Sequence, residues 1–476
     1  MGVAAALVLL IGGGAGRASE PCTISWDGDA HTGRWTDAAN WTGDRLPDPG
    51  DHVCIGAGFQ VSLGLADERV AGMDVAGGLT LDSGLELTGP DSSEVSGTLT
   101  VGQGRLQLNG DIPVASFRQA GGIVFGTGSI TTADFHWSGG RQQGVGTVEV
   151  LPGGAGLAID GGAHRLDNMR VLRVDPGTEA SWTAGDLELR ADARLENAGL
   201  LEIRGDQDLV GCCMSAPQVL NEEGGTIRRT EGDGTIQLTY PMANDGALEL
   251  RTGTLSIEGG SVPAHASSGS IEVGDGATLL FSSGDTGFAA GSSVVTHGTG
   301  RVRIVGGQAR FAGVVDAALE IAGPAAFGFF ESPVTLQRVR LARGALAGEG
   351  RVATPDFEWT GGEQIGSGTT RIEAGGPGLV LPAADSRTLV ERRIEIAPGA
   401  EAAWSAGPLT MVDRARIENE GLFDVRGDLD LDTTCCGQPP TVHNAAGGTL
   451  RKSAGGGRAT LAPGVRNDGT IEAPVG

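Results

Sequence analysis

The feature that most constrains this chain is a short motif, led by asparagine, that recurs every 23 to 25 residues. Its six clearest starts are Asn197, Asn221, Asn244, Asn419, Asn444 and Asn467. Each asparagine opens a glycine-containing turn that leads into a short apolar run, as in NAGLLEI and NDGALEL. Periods of 20–50 residues are typical of solenoids and other repeat arrays. A unit this short, with no helical pattern, fits one coil of a parallel β-solenoid.

A longer repeat encloses the short one. The segment TADFHWSGGRQQGVGT, residues 132–147, returns as TPDFEWTGGEQIGSGT, residues 354–369, at an offset of 222. The likeness extends over blocks of about 130–250 and 352–472, and the offset becomes 223 near the end of the blocks. The chain therefore contains an internal duplication that carries three asparagine motifs in each copy.

The local pattern predicts strands throughout. No stretch keeps apolar residues at a 3.6-residue period for three turns, and short alternating runs are separated by Gly, Asp, Asn and Pro. One coil cannot bury its own apolar face, whereas stacked coils bury a continuous core. We predict an all-β parallel β-solenoid with about 23 residues per coil. We expect the asparagines to be structural, with their side chains hydrogen-bonded from coil to coil as amide ladders are.

The amino-terminal residues predict export. An apolar run, 3–11, is followed by small residues up to Ala18, which is the pattern of a secretory signal. We predict a signal peptide over 1–18, a Trp-rich cap module over 19–70 and the solenoid over 71–476. The apolar run is too short to span a bilayer, so we expect no membrane insertion. Export predicts a secreted or cell-surface protein in a compartment that permits disulfides.

Charge excludes one class of partner. The chain has 59 acidic and 34 basic residues, a net charge of −25, and no basic cluster. Nucleic-acid binding needs concentrated Lys and Arg to neutralise phosphates. We therefore expect no nucleic-acid partner.

The Asn-x-Gly coils, the GVGT and GSGT turns and the glycine-rich strands resemble those of secreted bacterial right-handed parallel β-helix proteins, of the pectin-lyase-like and autotransporter-passenger kind. The segment 22–55 is similar to a Trp-rich module at the start of many large bacterial surface proteins. The residues that carry this second likeness are Trp26, Gly33, Trp35, Asn40, Trp41, Pro47, Gly50, Asp51, Val53 and Ile55. The resemblance implies an extended, exported surface protein and does not decide between an enzyme and an adhesin.

Tryptophans suggest two roles for the module. Trp26, Trp35 and Trp41 would form an aromatic platform for sugar rings if their faces were exposed. The alternative, which we favour, is that they cover the open end of the solenoid, because terminal repeats need a cap and bare strand edges aggregate. The other four tryptophans form two duplicated pairs, so we expect them to be packing residues; they are Trp137, Trp182, Trp359 and Trp404.

Paired carboxylates are the best candidates for chemistry. Asp206 and Asp208, in DQD, recur as Asp428 and Asp430, in DLD. Residues two apart in a strand share one face, so each pair would serve as an acid/base pair or bind Ca²⁺. Two carboxylates fall short of the six to eight oxygens that Ca²⁺ takes. We favour a solvated outer face, and we predict no cofactor and no metal site.

The six cysteines divide into two groups. Cys22 and Cys54 bracket the Trp-rich module, and we expect them to form a disulfide. The other four are two adjacent pairs, one in each copy of the duplication: Cys212 with Cys213, and Cys435 with Cys436. At ~23 residues per coil and ~4.8 Å per strand, the two pairs lie roughly 45 Å apart, beyond the ~7 Å reach of a disulfide. We predict a vicinal disulfide within each pair, with free thiols or a zinc site as alternatives.

Together these patterns predict a non-enzymatic secreted or cell-surface β-solenoid, a structural stalk or adhesin-like module. Its expected partner is an extracellular polysaccharide or a cell-surface component. One alternative is a polysaccharide lyase or hydrolase of the β-helix type that uses the paired aspartates. Another is a carbohydrate-binding module that uses the three amino-terminal tryptophans.

Overall fold

The structure is a computed structural model of the 476-residue chain. The residues that it describes are 20–89, 93–211, 217–261, 265–382, 385–434 and 437–475. The predicted signal peptide, 1–18, lies outside these ranges. Within them no helix is both long and apolar enough to cross a membrane.

The described chain is an all-β parallel β-solenoid with about 1% helix and with stacked coils about 22 residues apart, which confirms the predicted fold. A short 3-10 helix spans Ala38–Asn40. A coil consists of three short strands separated by turns. In most strands exposure alternates with burial, because successive side chains point to opposite faces. In Asp134–Trp137, for example, the phenyl ring and the indole point into the core while Asp134 and His136 point outward.

Each strand pairs in parallel with a strand of the next coil, and the pairings form three faces that we call sheets 1, 2 and 3. Two long strands, Glu94–Val101 and Ile112–Gln119, turn a corner and contribute to both sheet 3 and sheet 1. Sheet 2 is the most regular, with 20 strands in one unbroken ladder of the described chain.

The remaining strands of sheet 1 are Gln60–Leu63, Gly78–Leu81, Asp134–Trp137, Gly156–Ile159, Glu179–Trp182, Leu200–Arg204, Thr226–Glu231, Ala247–Leu250, Ser270–Val273, Ser293–Thr296, Val314–Asp316, Val334–Thr335, Arg351–Thr354, Thr369–Ile372, Arg393–Ile396, Arg416–Asn419, Thr441–Asn444 and Gly464–Asn467. The strands of sheet 2 are Glu68–Val70, Gly84–Leu87, Arg105–Leu108, Ile123–Gly126, Gly140–Gln143, His164–Asp167, Leu187–Leu189, Leu209–Val210, Thr235–Leu238, Thr254–Ile257, Thr278–Phe281, Arg301–Ile304, Ala318–Ile321, Arg338–Leu341, Asp356–Trp359, Gly378–Leu381, Glu401–Trp404, Leu422–Arg426, Thr449–Ala454 and Thr470–Glu472. The remaining strands of sheet 3 are Ile24–Ser25, His52–Ile55, Gly72–Val75, Ile130–Thr132, Thr147–Val150, Val171–Val174, Arg194–Asn197, Gln218–Asn221, Met242–Asn244, Asp285–Phe288, Gly307–Phe311, Ala326–Phe330, Ala345–Ala347, Gly362–Ile365, Arg387–Val390, Leu409–Val412, Asp430–Thr433 and Thr460–Leu461.

The two copies of the duplicated block lie on different faces. Asp134–Trp137 belongs to sheet 1, whereas its copy, Asp356–Trp359, belongs to sheet 2. Ten coils after the first strand, sheet 1 has reached Arg351–Thr354, and the copy is the next strand along the chain. The coils just before the second block are short, because successive strands of sheet 1 there start 21, 20 and 17 residues apart. The offset of 222 residues therefore corresponds to ten coils and one further strand.

The Trp-rich module lies on the amino-terminal end of the stack. Ile24–Ser25 pairs with Val53 and Cys54, and Arg34 forms a bridge to Ser62. The predicted cap boundary at residue 70 differs from the observed organisation. The strands within 52–70 already form the first coil, so residues 20–51 are the part that covers its end.

Aromatic residues extend along the core. The rings of Phe288, Phe311 and Phe330 stack at centroid distances of 5.1 and 5.3 Å, one coil after another. The duplicated tryptophans are fully buried, as predicted for packing residues; they are Trp137, Trp182, Trp359 and Trp404.

Candidate functional site

The asparagines of the short repeat form two ladders of hydrogen bonds. On sheet 3 the Nδ2 of Asn197 donates to the Oδ1 of Asn221 at 2.8 Å, and Asn221 donates to Asn244 at 2.7 Å. All three side chains are buried. Each amide also donates to a backbone carbonyl near the start of a strand in the next coil, for example from Asn221 to Ala247 at 3.0 Å. The ladder ties turns of successive coils together, as predicted.

The copy of this ladder lies on sheet 1. Asn419 donates to Asn444 at 2.7 Å, and Asn444 donates to Asn467 at the same distance. The first amide of each ladder, in Asn197 and in Asn419, has a buried Oδ1 atom with no hydrogen-bond donor. In both cases the in-register neighbour one coil earlier is apolar, Val174 or Ile396, so the ladders begin where an apolar residue replaces the asparagine.

The four candidate catalytic aspartates brace successive coils. Asp206 accepts a hydrogen bond from the backbone N–H of Gly234 at 3.1 Å, and Asp208 accepts one from Gln237 at 2.7 Å. In the copy, the backbone N–H groups of Gly457 and Thr460 donate at 2.9 Å to their carboxylates, listed by residue as Asp428 and Asp430. Asp206 and Asp208 precede the strand Leu209–Val210 instead of lying within a strand.

Ion pairs occupy two of these carboxylates further. The guanidinium of Arg229, which is buried, contacts Asp206, and the ammonium of Lys452 lies 3.1 Å from Asp428. A carboxylate that accepts a backbone N–H and pairs with a cation is held in its ionised form. This arrangement fits a structural brace better than a proton donor.

The three tryptophans of the cap module pack on one another. Trp41 meets Trp26 and Trp35 edge-to-face, at centroid distances of 4.9 and 4.8 Å, and its Nε1 donates to the carbonyl of Trp35 at 2.8 Å. Trp26 is 5% exposed, and the other two are 0% exposed. A sugar ring stacks on an open aromatic face, and none of these rings presents one. The packing therefore supports the cap role over the carbohydrate platform.

The cysteines differ in what the structure describes. Cys22 and Cys54 form a disulfide with a Cα–Cα distance of 5.6 Å, as expected from the sequence. Cys212, Cys213, Cys435 and Cys436 lie outside the described residues. The predictions of vicinal disulfides, free thiols or zinc at these pairs stay predictions.

Arginine and carboxylate side chains alternate from coil to coil on the outer faces. Asp424 on sheet 2 is 2% exposed and accepts hydrogen bonds from Arg451 and Arg426 at 3.0 and 2.9 Å. Burial by itself would raise the pKa of Asp424, but the two guanidinium groups outweigh it and lower that pKa to about 2. Such pairs neutralise most surface arginines within the stack.

One histidine joins two carboxylates near the carboxyl-terminal coils. The ring of His443 lies 3.0 Å from Asp468 and 2.7 Å from Glu418. These hydrogen bonds, the one to Asp468 foremost, raise the pKa of His443 above its ordinary value of 6.5. The imidazolium therefore binds three stacked coils together through charge.

Two fully buried arginines were not predicted as structural residues. Arg170 and its duplicate Arg392 lie inside turns of the stack, and burial lowers the pKa of each guanidinium to about 10. Their Nη1 atoms donate to the carbonyls of Gly128 and Gly348, both at 2.9 Å. The signal in the sequence was the conserved offset of 222 between the two arginines.

The largest open groove lies where sheets 1 and 2 meet, and its volume is about 550 Å³. Its charged lining consists of Arg301, Glu320, Arg338, Arg340 and Asp356. Ala318 and Leu319 form the apolar part of the lining between the strands that carry the arginines. Three arginines face two carboxylates, so this groove is locally cationic on a strongly acidic protein.

Pairing leaves one of the groove arginines available. Arg338 lies 2.6 Å from Asp356, and Arg340 lies 2.9 Å from Glu358. Arg301 is exposed and forms no ion pair within the described part of the chain. The sequence signal for the groove was the repeated pattern of RVRI and RVRL in two strands, since alternate residues of a strand project from one face.

Comparison with protein-family models, with curated proteins and with solved structures gives no match. Similarity therefore assigns neither a family nor an activity to this chain.

Proposed function

We propose that this protein is an exported, non-enzymatic stalk or adhesin-like module of the cell surface. The observation that carries the proposal is the unbroken ladder of 20 strands in sheet 2. At ~4.8 Å between neighbouring strands, this ladder extends over roughly 90 Å. Backbone hydrogen bonds and a continuous apolar core run along the whole length, which gives a rigid spacer without a catalytic cleft.

Two further observations support this proposal. The four candidate aspartates each accept a backbone N–H from a neighbouring coil, and that role accounts for the recurrence of the pairs. The disulfide between Cys22 and Cys54 fits an oxidising compartment. Secretion and surface location are parts of the proposal, together with the signal peptide expected over 1–18.

Deletion of one duplicated block tests the stalk. Joining Thr131 directly to Thr354 removes 222 residues and preserves the local sequence, because Thr354 is the counterpart of Thr132. We expect a folded, all-β protein that is shorter by roughly 50 Å at ~4.8 Å per coil, measured by small-angle X-ray scattering. A variant that unfolds or keeps its original length would contradict a modular stalk.

Location and catalysis need separate measurements. Fractionation of the producing cells, followed by protease treatment of intact cells, should find the protein outside the membrane, and a cytosolic location would reject the proposal. Incubation with acidic polysaccharides, with and without Ca²⁺, should release no products. Cleavage that is lost in Asp206→Ala or Asp428→Ala would favour a lyase or hydrolase instead.

A second candidate function is binding of an acidic polysaccharide in the groove beside Arg301. The favouring observation is the excess of guanidinium groups there, with hydrogen-bond donors suited to carboxylates and hydroxyls. We expect Arg301→Gln and Arg338→Gln to weaken binding of an immobilised polyuronate. Arg251→Gln, which removes an exposed charge on sheet 1, is the matched control. Equal binding by all variants would dismiss the groove.

A further inference from the structure

One cluster of metal-ligating side chains stands apart from everything above. Among the described residues, His52, Cys54 and Asp74 form the group whose ligand atoms all lie within 4.8 Å of one another. The cluster lies on the outside of sheet 3 beneath the amino-terminal segment. Cys22 belongs to it as well, because its sulfur is bonded to that of Cys54.

Two polar groups in the cluster are buried without hydrogen bonds. The His52 side chain is 2% exposed, and neither of its ring nitrogens has a hydrogen-bond partner. The Oδ1 atom of Asp74 is also buried and has no partner. Its distance from the Nε2 atom of His52 is 3.4 Å. Buried polar atoms are nearly always satisfied, so this pair indicates a ligand that the disulfide form does not bind.

We propose that reduction of the Cys22–Cys54 disulfide creates a site for one Zn²⁺ ion, with Cys22, His52, Cys54 and Asp74 as ligands. Two thiolates, an imidazole and a carboxylate are a set that zinc binds in tetrahedral geometry. At the usual zinc–ligand distances the ligand atoms are about 3.4 to 3.8 Å apart. The observed limit of 4.8 Å requires movements of about 1 Å.

Backbone contacts hold Cys22 in place without the disulfide. The N–H of Thr23 donates to the carbonyl of His52 at 3.0 Å, and the N–H of Trp26 donates to that of Cys54 at 2.8 Å. Cys54 and Asp74 are register partners on neighbouring strands. The four side chains therefore stay adjacent when the sulfur–sulfur bond is broken.

An outer carboxylate completes the arrangement. The Nδ1 atom of His52 lies 3.9 Å from Glu20, while Nε2 faces Asp74. A histidine that binds zinc through one nitrogen commonly donates the other N–H to a carboxylate, which fixes the ring and raises its basicity. Glu20 is placed for that role after a small movement.

The chemistry balances with a dithiol as reductant. The dithiol gives two electrons and two protons, so the Cys22–Cys54 bond breaks into two thiols and the dithiol becomes a disulfide. Zinc then displaces the two thiol protons into solvent and binds the thiolates. The amino-terminal segment remains attached to its strand in either state, by a covalent bond or through the metal.

The experiment uses the full chain with its other four cysteines replaced by serine, namely Cys212, Cys213, Cys435 and Cys436. The oxidised protein and the protein reduced by a dithiol, desalted without oxygen, are titrated with Zn²⁺ against a chromophoric chelator. We expect one tightly bound ion in the reduced form and none in the oxidised form. Equal binding in both forms, or none in the reduced form, would overturn the proposal.

Variants assign the ligands. We expect His52→Gln and Asp74→Asn each to weaken binding about 100-fold or more, and Glu20→Gln by about tenfold, the low end for an outer partner. Circular dichroism and disulfide formation in the oxidised variants verify folding. If a variant does not fold, Co²⁺ binding to the reduced parent decides: a thiolate-to-cobalt band with tetrahedral visible bands supports the site, and their absence rejects it.

Discussion

The asparagine ladder provides the sharpest test of how this fold is held together. Replacing Asn221 by alanine removes the central rung of the ladder on sheet 3. Two hydrogen bonds disappear, one accepted from Asn197 and one donated to Asn244. The Oδ1 atom of Asn244 is left without its amide donor in a buried environment, because Asn244 is 3% exposed.

The expected magnitude follows from these losses. Each hydrogen bond contributes about 1 kcal/mol net, and a buried acceptor without a donor costs about 1–3 kcal/mol. Asn221→Ala should therefore lower the free energy of unfolding by about 3–4 kcal/mol. Asn467→Ala is the matched control, because Asn467 ends the second ladder and is exposed. Water replaces its contacts, so we expect a loss of about 1 kcal/mol or less.

The assay combines urea unfolding with hydrogen exchange. Long repeat arrays do not always unfold in one step, so amide exchange in the strand Gln218–Asn221 reports the local effect where a global midpoint averages it. We expect faster exchange there in Asn221→Ala and unchanged exchange in Asn467→Ala. Equal losses in the two variants, within about 0.5 kcal/mol, would refute the view that the buried amides hold the coils together.

Three further outcomes can be checked in the same way. Val174→Thr places a hydroxyl donor beside the unpaired Oδ1 of Asn197 and should change stability by less than about 0.5 kcal/mol, whereas Val150→Thr, buried one coil earlier, should cost about 1–3 kcal/mol in urea unfolding. Asp424 has a pKa of about 2 against an ordinary 3.8, so its contribution of about 2 kcal/mol is present above pH 4 and lost as the pH falls through the folded pKa; Asp424→Asn should abolish this acid dependence of the unfolding midpoint. The raised pKa of His443 makes its contribution complete below pH 6.5 and lost as the pH rises through the folded value, which an NMR titration and loss of this dependence in His443→Gln should show.

Much of the fold was predictable because it is local. The alternation of apolar and polar residues selects strands, and the spacing of Asn197, Asn221 and Asn244 sets the length of a coil. The ladder itself followed from that spacing, since side chains in register on stacked coils lie one strand apart. The disulfide between Cys22 and Cys54 was predicted from their positions around the module.

The candidate site was harder to predict. Asp206 and Asp208 suggested a projecting pair, yet they meet backbone N–H groups from the next coil, about 30 residues further along the chain. The cluster around His52 involves Asp74, a residue of the next coil with no motif of its own. Contacts between coils depend on which turn lies above which, and short motifs do not report that.

The sequence by itself determined the architecture of this protein: strands, coils of nearly constant length, a duplicated block and an internal amide ladder. Only the tertiary structure decided which faces the copies occupy. The short coils after Ser293 advance the chain by one extra strand, so the second ladder lies on sheet 1 and the first on sheet 3. The physical reason is that hydrophobic alternation and turn chemistry act within one coil, whereas the face on which a residue lies depends on the summed lengths of all coils before it.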